Sequence, residues 1–153
     1  MKGFIAFAAA VAAFAAPPAP AQADAPAPAE MPTQTEQRLD VRPATAAALA
    51  WLEIVDSGRY GIAWDAAAPI LQGAIERLKW ETTIQEARQA LGIAGGRKLR
   101  SANYARALPN APDGEYIVIE YVTHFQKRPG TIETVTPMRQ PDGTWKVAGY
   151  FLR

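Results

Sequence analysis

Residues 115–126 read Glu115-Tyr116-Ile117-Val118-Ile119-Glu120-Tyr121-Val122-Thr123-His124-Phe125-Gln126. Side chains of a strand point alternately to opposite faces. One face would therefore carry Ile117, Ile119, Tyr121, Thr123 and Phe125, and the other Tyr116, Val118, Glu120, Val122 and His124. Turn chemistry brackets the run, with Asn110, Pro112, Asp113 and Gly114 before it and Pro129-Gly130 behind. Towards the C-terminus, Thr131 to Met138 reads as a returning strand, and Pro141-Asp142-Gly143 turns the chain into a last strand, Thr144 to Leu152. Pro-Asp-Gly suits a type I turn followed by a left-handed glycine. Pro137 cannot donate to a ladder and marks a bulge, an edge or a strand end. Towards the N-terminus, Gly95-Gly96 precedes an irregular strand, Arg97 to Leu108. The result is an antiparallel meander of about four strands. A one-residue slip at either turn would exchange the faces, so the side taken by Glu133 is open at this level.

Upstream, the apolar period changes to that of a helix. Thr45 to Asp56 lines up Ala48, Trp51, Leu52 and Val55 and stops at Ser57-Gly58. Arg59 to Ala68 places Tyr60, Ala63, Trp64 and Ala67 at helical spacing; from Pro69, the pattern continues through Ile70, Leu71, Ala74, Ile75 and Leu78. The clearest stripe is Trp80, Ile84, Ala87 and Leu91, closed by Gly92, with Glu81, Gln85, Arg88 and Gln89 away from it. Three or four amphipathic helices need a common apolar surface, and the sheet supplies it. The expected class is α+β, with N-terminal helices packed on a curved antiparallel sheet in one domain over residues 44–153.

The first 43 residues have a different character. Lys2, the unbroken apolar run Phe4 to Ala16 and the small-x-small triplet Ala21-Gln22-Ala23 form the pattern of a secretory signal over residues 1–23. The apolar run is shorter than the roughly 20 residues that span a bilayer, so a transmembrane anchor is not expected. Pro26, Pro28, Pro32 and Pro43 then punctuate a segment without apolar period, read as a disordered tether over residues 24–43. Cleavage near Ala23 would place the protein in the periplasm or outside the cell.

Composition narrows the chemistry. The 153 residues hold 16 Lys and Arg, 15 Asp and Glu, one His and no Cys. Without cysteine there are no disulfides, thiolate metal sites or Cys nucleophiles. A formal charge of +1 gives no electrostatic case for nucleic acid, and a lone His argues against a His-rich metal site. No cofactor loop is present either: Gly92, Gly95 and Gly96 end a helix and lack the Gly-Lys-Ser/Thr of a phosphate loop.

Several ordered blocks resemble a known family. They are Ala50-Trp51-Leu52, Val55-Asp56-Ser57-Gly58, Tyr60 to Trp64, Arg88 to Gly92, Tyr121 to Phe125, Glu133-Thr134-Val135 and Asp142 to Phe151. They resemble the secreted bacterial family catalogued as domain of unknown function 4019, over essentially all of residues 44–153. The resemblance implies one periplasmic or secreted domain and brings no activity and no functional residues. The order of helices then sheet is also similar to the cones of nuclear transport factor 2-like and cystatin-like proteins, scaffolds that carry both enzymes and binding modules.

The candidate site residues are His124, Glu133, Glu120, Tyr116 and Val118. His124 is the side chain that ordinarily titrates near neutrality; it stands four residues from Glu120, roughly 13 Å along a strand, so a dyad would need Glu133 or another residue from a neighbouring strand. Glu120 and Glu133 could form a carboxylate pair, or pair across strands with Lys127, Arg128 or Lys146. Arg97, Lys98, Arg100 and Arg106 could hold an anion, or protect an edge strand by charge. Trp51, Trp64, Trp80 and Trp145 read first as core. Tyr116 and Val118 belong to a strand apolar on both faces, and an exposed apolar face marks an interface or ligand groove. The expected function is therefore a noncatalytic binding or interaction module of the cell envelope, acting as a homodimer or with an envelope protein. The alternative is a small-ligand binder or enzyme with a pocket between helices and sheet.

Overall fold

The computed structural model of the protein describes residues 40–153; the signal over residues 1–23 and the tether up to residue 39 lie outside them. Helices α1 (Arg42–Asp56), α2 (Tyr60–Asp65), α3 (Pro69–Ala74) and α4 (Arg77–Leu91) precede strands β1 (Ala94–Ala105), β2 (Tyr116–Phe125), β3 (Thr131–Arg139) and β4 (Trp145–Leu152). The strands form one antiparallel sheet in the order β1-β2-β3-β4. The expected α+β class and strand number hold.

Local chemistry explains the boundaries. Helix α1 starts at Arg42 and takes in Pro43 in its first turn, where a missing N–H costs nothing; the sequence had put Pro43 in the tether. It ends because Gly58 adopts a φ of +74°, a region that only glycine enters without penalty. The β3–β4 turn is as expected: Gly143 has a φ of +84°, and Gln140 donates to the Thr144 carbonyl at 2.7 Å. The expected continuation of α3 through Leu78 does not occur. Ile75 is extended, its carbonyl accepts the Trp64 indole N–H at 2.9 Å, and α4 starts afresh at Arg77. The break aims Trp80 inwards and leaves Leu78 75% exposed.

Helix α1 packs on β3 and β4, and α3 on β4. The core joins Leu52, Val55 and Ile84 from the helices to Ile117, Ile119, Val135 and Val147 from the sheet. The two-residue alternation of β2 is realised, with Ile117, Ile119, Tyr121, Thr123 and Phe125 all buried. Ile84→Ala and Ile119→Ala should each cost about 2–5 kcal/mol, the range for truncating a buried aliphatic side chain. Leu78→Ala should stay within about 0.5 kcal/mol, as for an exposed site. Urea midpoints compared at constant m-value will check this.

Tyr116 corrects a second expectation. It lies on the sheet face away from the helices, yet is only 1% exposed. The chain between β1 and β2 folds over it, and its hydroxyl donates to the Pro112 carbonyl at 2.7 Å. That end of the outer face is core, whereas Val122 and Phe151 further along remain exposed.

Candidate functional site

The β2–β3 register settles the side of Glu133. Val135 pairs with Ile119 and Glu133 with Tyr121, so Glu133 shares the helix-facing side with Ile119 and Tyr121 and is fully buried. Glu120 pairs with Thr134 and points to the outer face, as does the exposed His124. The structure therefore brings neither the Glu120–Glu133 pair nor a His124–Glu133 dyad together. Glu120 instead meets Arg153 and, at 3.7 Å, Arg100; Lys127 donates to the Gln89 carbonyl. Val118 lies half-buried on the outer face.

Around Glu133 the fold gathers side chains from six elements. Its Oε1 accepts from the Tyr150 hydroxyl of β4 at 2.6 Å and from Arg97 at 3.3 Å, with Arg88 of α4 at 3.5 Å. Its Oε2 accepts from Arg97 Nε of β1 at 2.5 Å and from Thr123 Oγ1 of β2 at 2.8 Å. Asp56, the last residue of α1, binds both arginines: Arg97 at 2.5 and 2.8 Å, and Arg88 in close contact. The Arg88 guanidinium also lies over the Phe125 ring, 4.9 Å from its centroid, a favourable cation–π placement. Among the described residues, Arg88 and Glu133 are the buried charged side chains.

Two cations and two anions balance here, and the electrostatics follow. Burial pushes the Glu133 carboxyl up, but hydrogen bonds from Arg97, Tyr150 and Thr123, with the Arg97 charge, bring it below the ordinary glutamate range. Burial and the neighbouring Glu133 push the Tyr150 hydroxyl far above the usual tyrosine range, keeping it a donor. A carboxylate whose two oxygens both accept from neighbouring side chains, and whose pKa is lowered rather than raised, is a poor general base. Its evident effect is mechanical: it ties the four strands to α4 and, through the arginines it shares with Asp56, to α1. The Tyr121 hydroxyl, also buried, has no hydrogen-bond partner among the described residues.

Sequence reading found Glu133 but missed Arg88, Arg97, Thr123 and Tyr150 as its partners, and Asp56 as the second acceptor of the two arginines. By period Arg88 falls away from the apolar α4 stripe, yet it is only 6% exposed. It lies one turn beyond Ile84, and its long side chain reaches inwards. The available signal was Glu133 itself, an acid two positions from Val135 on one strand face.

Two apolar concavities flank β4. The outer one, about 520 Å³, lies under the 108–111 segment and is lined by Ile70, Leu108, Val118, Thr134 and Phe151. The other, about 450 Å³, runs between the helices and β4 along Leu71, Trp80, Ile84, Tyr150 and Leu152. Neither is lined by a charged side chain. Among the described residues no helix is long and apolar enough to cross a membrane, and no three His, Asp or Glu side chains converge as a cation site.

No curated protein matches the chain. A family model described as a protein of unknown function, DUF4019, matches residues 47–150, a span holding every β-strand but the end of β4 and all the residues of the Glu133 cluster. The chain belongs to the DUF4019 family.

Proposed function

We propose that the protein is exported and that its folded domain is a noncatalytic binding module of the cell envelope, engaging its partner through the outer face of the sheet. The observation that carries this reading is the open, uncharged groove beside Val118 and Phe151, on a face where Val122 and Phe151 are exposed. Exposed apolar concavities of this kind are where proteins bind. The buried charges, by contrast, are spent on one another. Export rests on Lys2, the Phe4–Ala16 run and the Ala21-Gln22-Ala23 triplet, and a cysteine-free fold needs no oxidative stapling outside the cytoplasm.

The test is native mass spectrometry of protein released from the periplasm, wild type beside Val118→Lys. The expected wild-type protein begins at Asp24 and carries an added macromolecular mass other than a second copy of itself, which Val118→Lys loses while keeping its thermal midpoint within a few degrees. A small molecule retained by both proteins would overturn the reading in favour of a ligand pocket between helices and sheet. Protein that keeps Met1 and fractionates with the cytoplasm would overturn export.

A further inference from the structure

The sheet has two edges, and they are built differently. Edge strand β1 carries Arg97, Lys98 and Arg100 and two register shifts against β2, between Ala94 and Arg97 and between Leu99 and Ser101. Charge and bulges are the usual protection of an exposed edge. Edge strand β4 has one register shift, at Ala148, but beyond it Gly149-Tyr150-Phe151-Leu152 is uncharged and in continuous register with β3. Its first half is closed by α3, because the Ala68 N–H donates to the Val147 carbonyl at 2.8 Å.

The direction of the backbone groups follows from the ladder. Arg153 and Ile132 exchange both their hydrogen bonds, at 2.9 and 3.0 Å, so Arg153 and, by alternation, Phe151 and Gly149 turn their N–H and C=O towards β3. The Tyr150 N–H and C=O, the Leu152 N–H and the Ala148 C=O then point outwards, with no backbone partner among the described residues. Both concavities include Ala74, Ala148, Gly149 and Phe151 in their walls. They meet along this edge and leave room on either side of the sheet for another strand's side chains.

We infer that this edge pairs with the β4 edge of a second copy of the chain, antiparallel about a two-fold axis at Tyr150. The sequence is self-complementary in that register. The Tyr150 N–H meets the Tyr150 C=O of the second copy, and the Leu152 N–H meets its Ala148 C=O, each with its symmetry mate. Phe151 falls opposite Gly149 of the second copy on the outer face. Within one chain the Phe151 ring already leans over Gly149, where a Cβ would lie 3.3 Å from it, so the small Gly149 keeps the backbones free to approach beneath the rings. Isologous contacts of this type close as dimers. The inference rests on the reading of the domain as a binding module but uses the sheet's edge, not its face.

The experiment is sedimentation of the full mature chain over a wide concentration range, with residue-resolved amide exchange of the same samples. Expected are a reversible dimer and Tyr150 and Leu152 amides that are protected in the dimer and lose protection on dilution, while the Phe151 and Arg153 amides stay protected throughout. Leu152→Pro removes an N–H that the monomer does not use, and should raise the dimer Kd roughly 100-fold through its two lost bonds. Phe151→Lys, at an exposed position, should weaken the dimer as well, and Val122→Lys on the open face should not. A monomer at every concentration, or a dimer whose Tyr150 and Leu152 amides exchange freely, would overturn the edge pairing. Loss of the envelope partner in Val118→Lys with the dimer intact would leave the two readings separately judged.

Discussion

Glu133→Ala is expected to cost about 3–5 kcal/mol, because it removes the carboxylate and leaves two inward-facing guanidinium groups short of a partner. Arg88 is nearly buried and Arg97 has a side chain only 13% exposed, so neither reaches water without disturbing the junction of α1, α4 and β1. Asp56 remains, but one carboxylate cannot serve two arginines as two did. Glu133→Gln keeps the shape and one acceptor oxygen while losing the charge, and should fall between the wild type and the Ala variant. Urea unfolding of the three proteins gives the ranking. A loss near 1 kcal/mol for Glu133→Ala would mean that Asp56 alone satisfies both arginines.

Acid should act on the same group. The folded Glu133 carboxyl lies below the ordinary glutamate range, so folding favours its ionised form. Its contribution is complete above the unfolded value and is lost as pH falls through the folded one. Stability should therefore decline at acid pH, with a shallower slope in Glu133→Gln. Asp65, held down by Arg77, and Asp142, held down by Thr144, titrate in the same direction at the surface and keep the remaining slope above zero.

What could be read from the sequence divides along physical lines. Helix and strand periods are local, so the Trp80-Ile84-Leu91 stripe and the alternation of residues 116–125 were both legible. Glycine punctuation at Gly58, Gly92 and Gly143 was legible for the same reason. The side of Glu133 was not, because it depends on register between strands joined by a turn, and one residue of slip reverses it. Arg88 was misplaced because helical periodicity ranks residues by apolarity, whereas a guanidinium can be buried when a distant carboxylate receives it. Its partners Asp56 and Glu133 stand 32 and 45 residues away. Tyr116 was misread because alternation names a face but not what covers it; the 108–112 segment does so through a hydrogen bond with no local signature.

The largest aromatic loss should come at Trp51, and its effect should reach the charged cluster. Trp51 is 4% exposed, and its indole N–H donates to the Ala63 carbonyl of α2 at 2.7 Å. Its ring centroid lies 5.7 Å from that of Trp80 and 5.4 Å from that of Tyr150, within the range of favourable aromatic pairs. Trp80 in turn donates to the Tyr60 carbonyl at 2.9 Å, so the two indoles fasten the first residue and the middle of α2 to the neighbouring helices. Trp51→Ala should cost about 3–5 kcal/mol through cavity formation, and Trp51→Phe less, mostly for leaving the Ala63 carbonyl unpaired. The Tyr150 ring rests against Trp51 while its hydroxyl holds Glu133, so it links apolar and ionic parts of the core. In a double-mutant cycle, Trp51→Phe and Tyr150→Phe should therefore couple by about 0.5–3 kcal/mol, as residues in contact do. Additivity within about 0.3 kcal/mol would show that the Tyr150 hydroxyl is positioned by its hydrogen bond to Glu133 alone, with the aromatic cluster merely alongside.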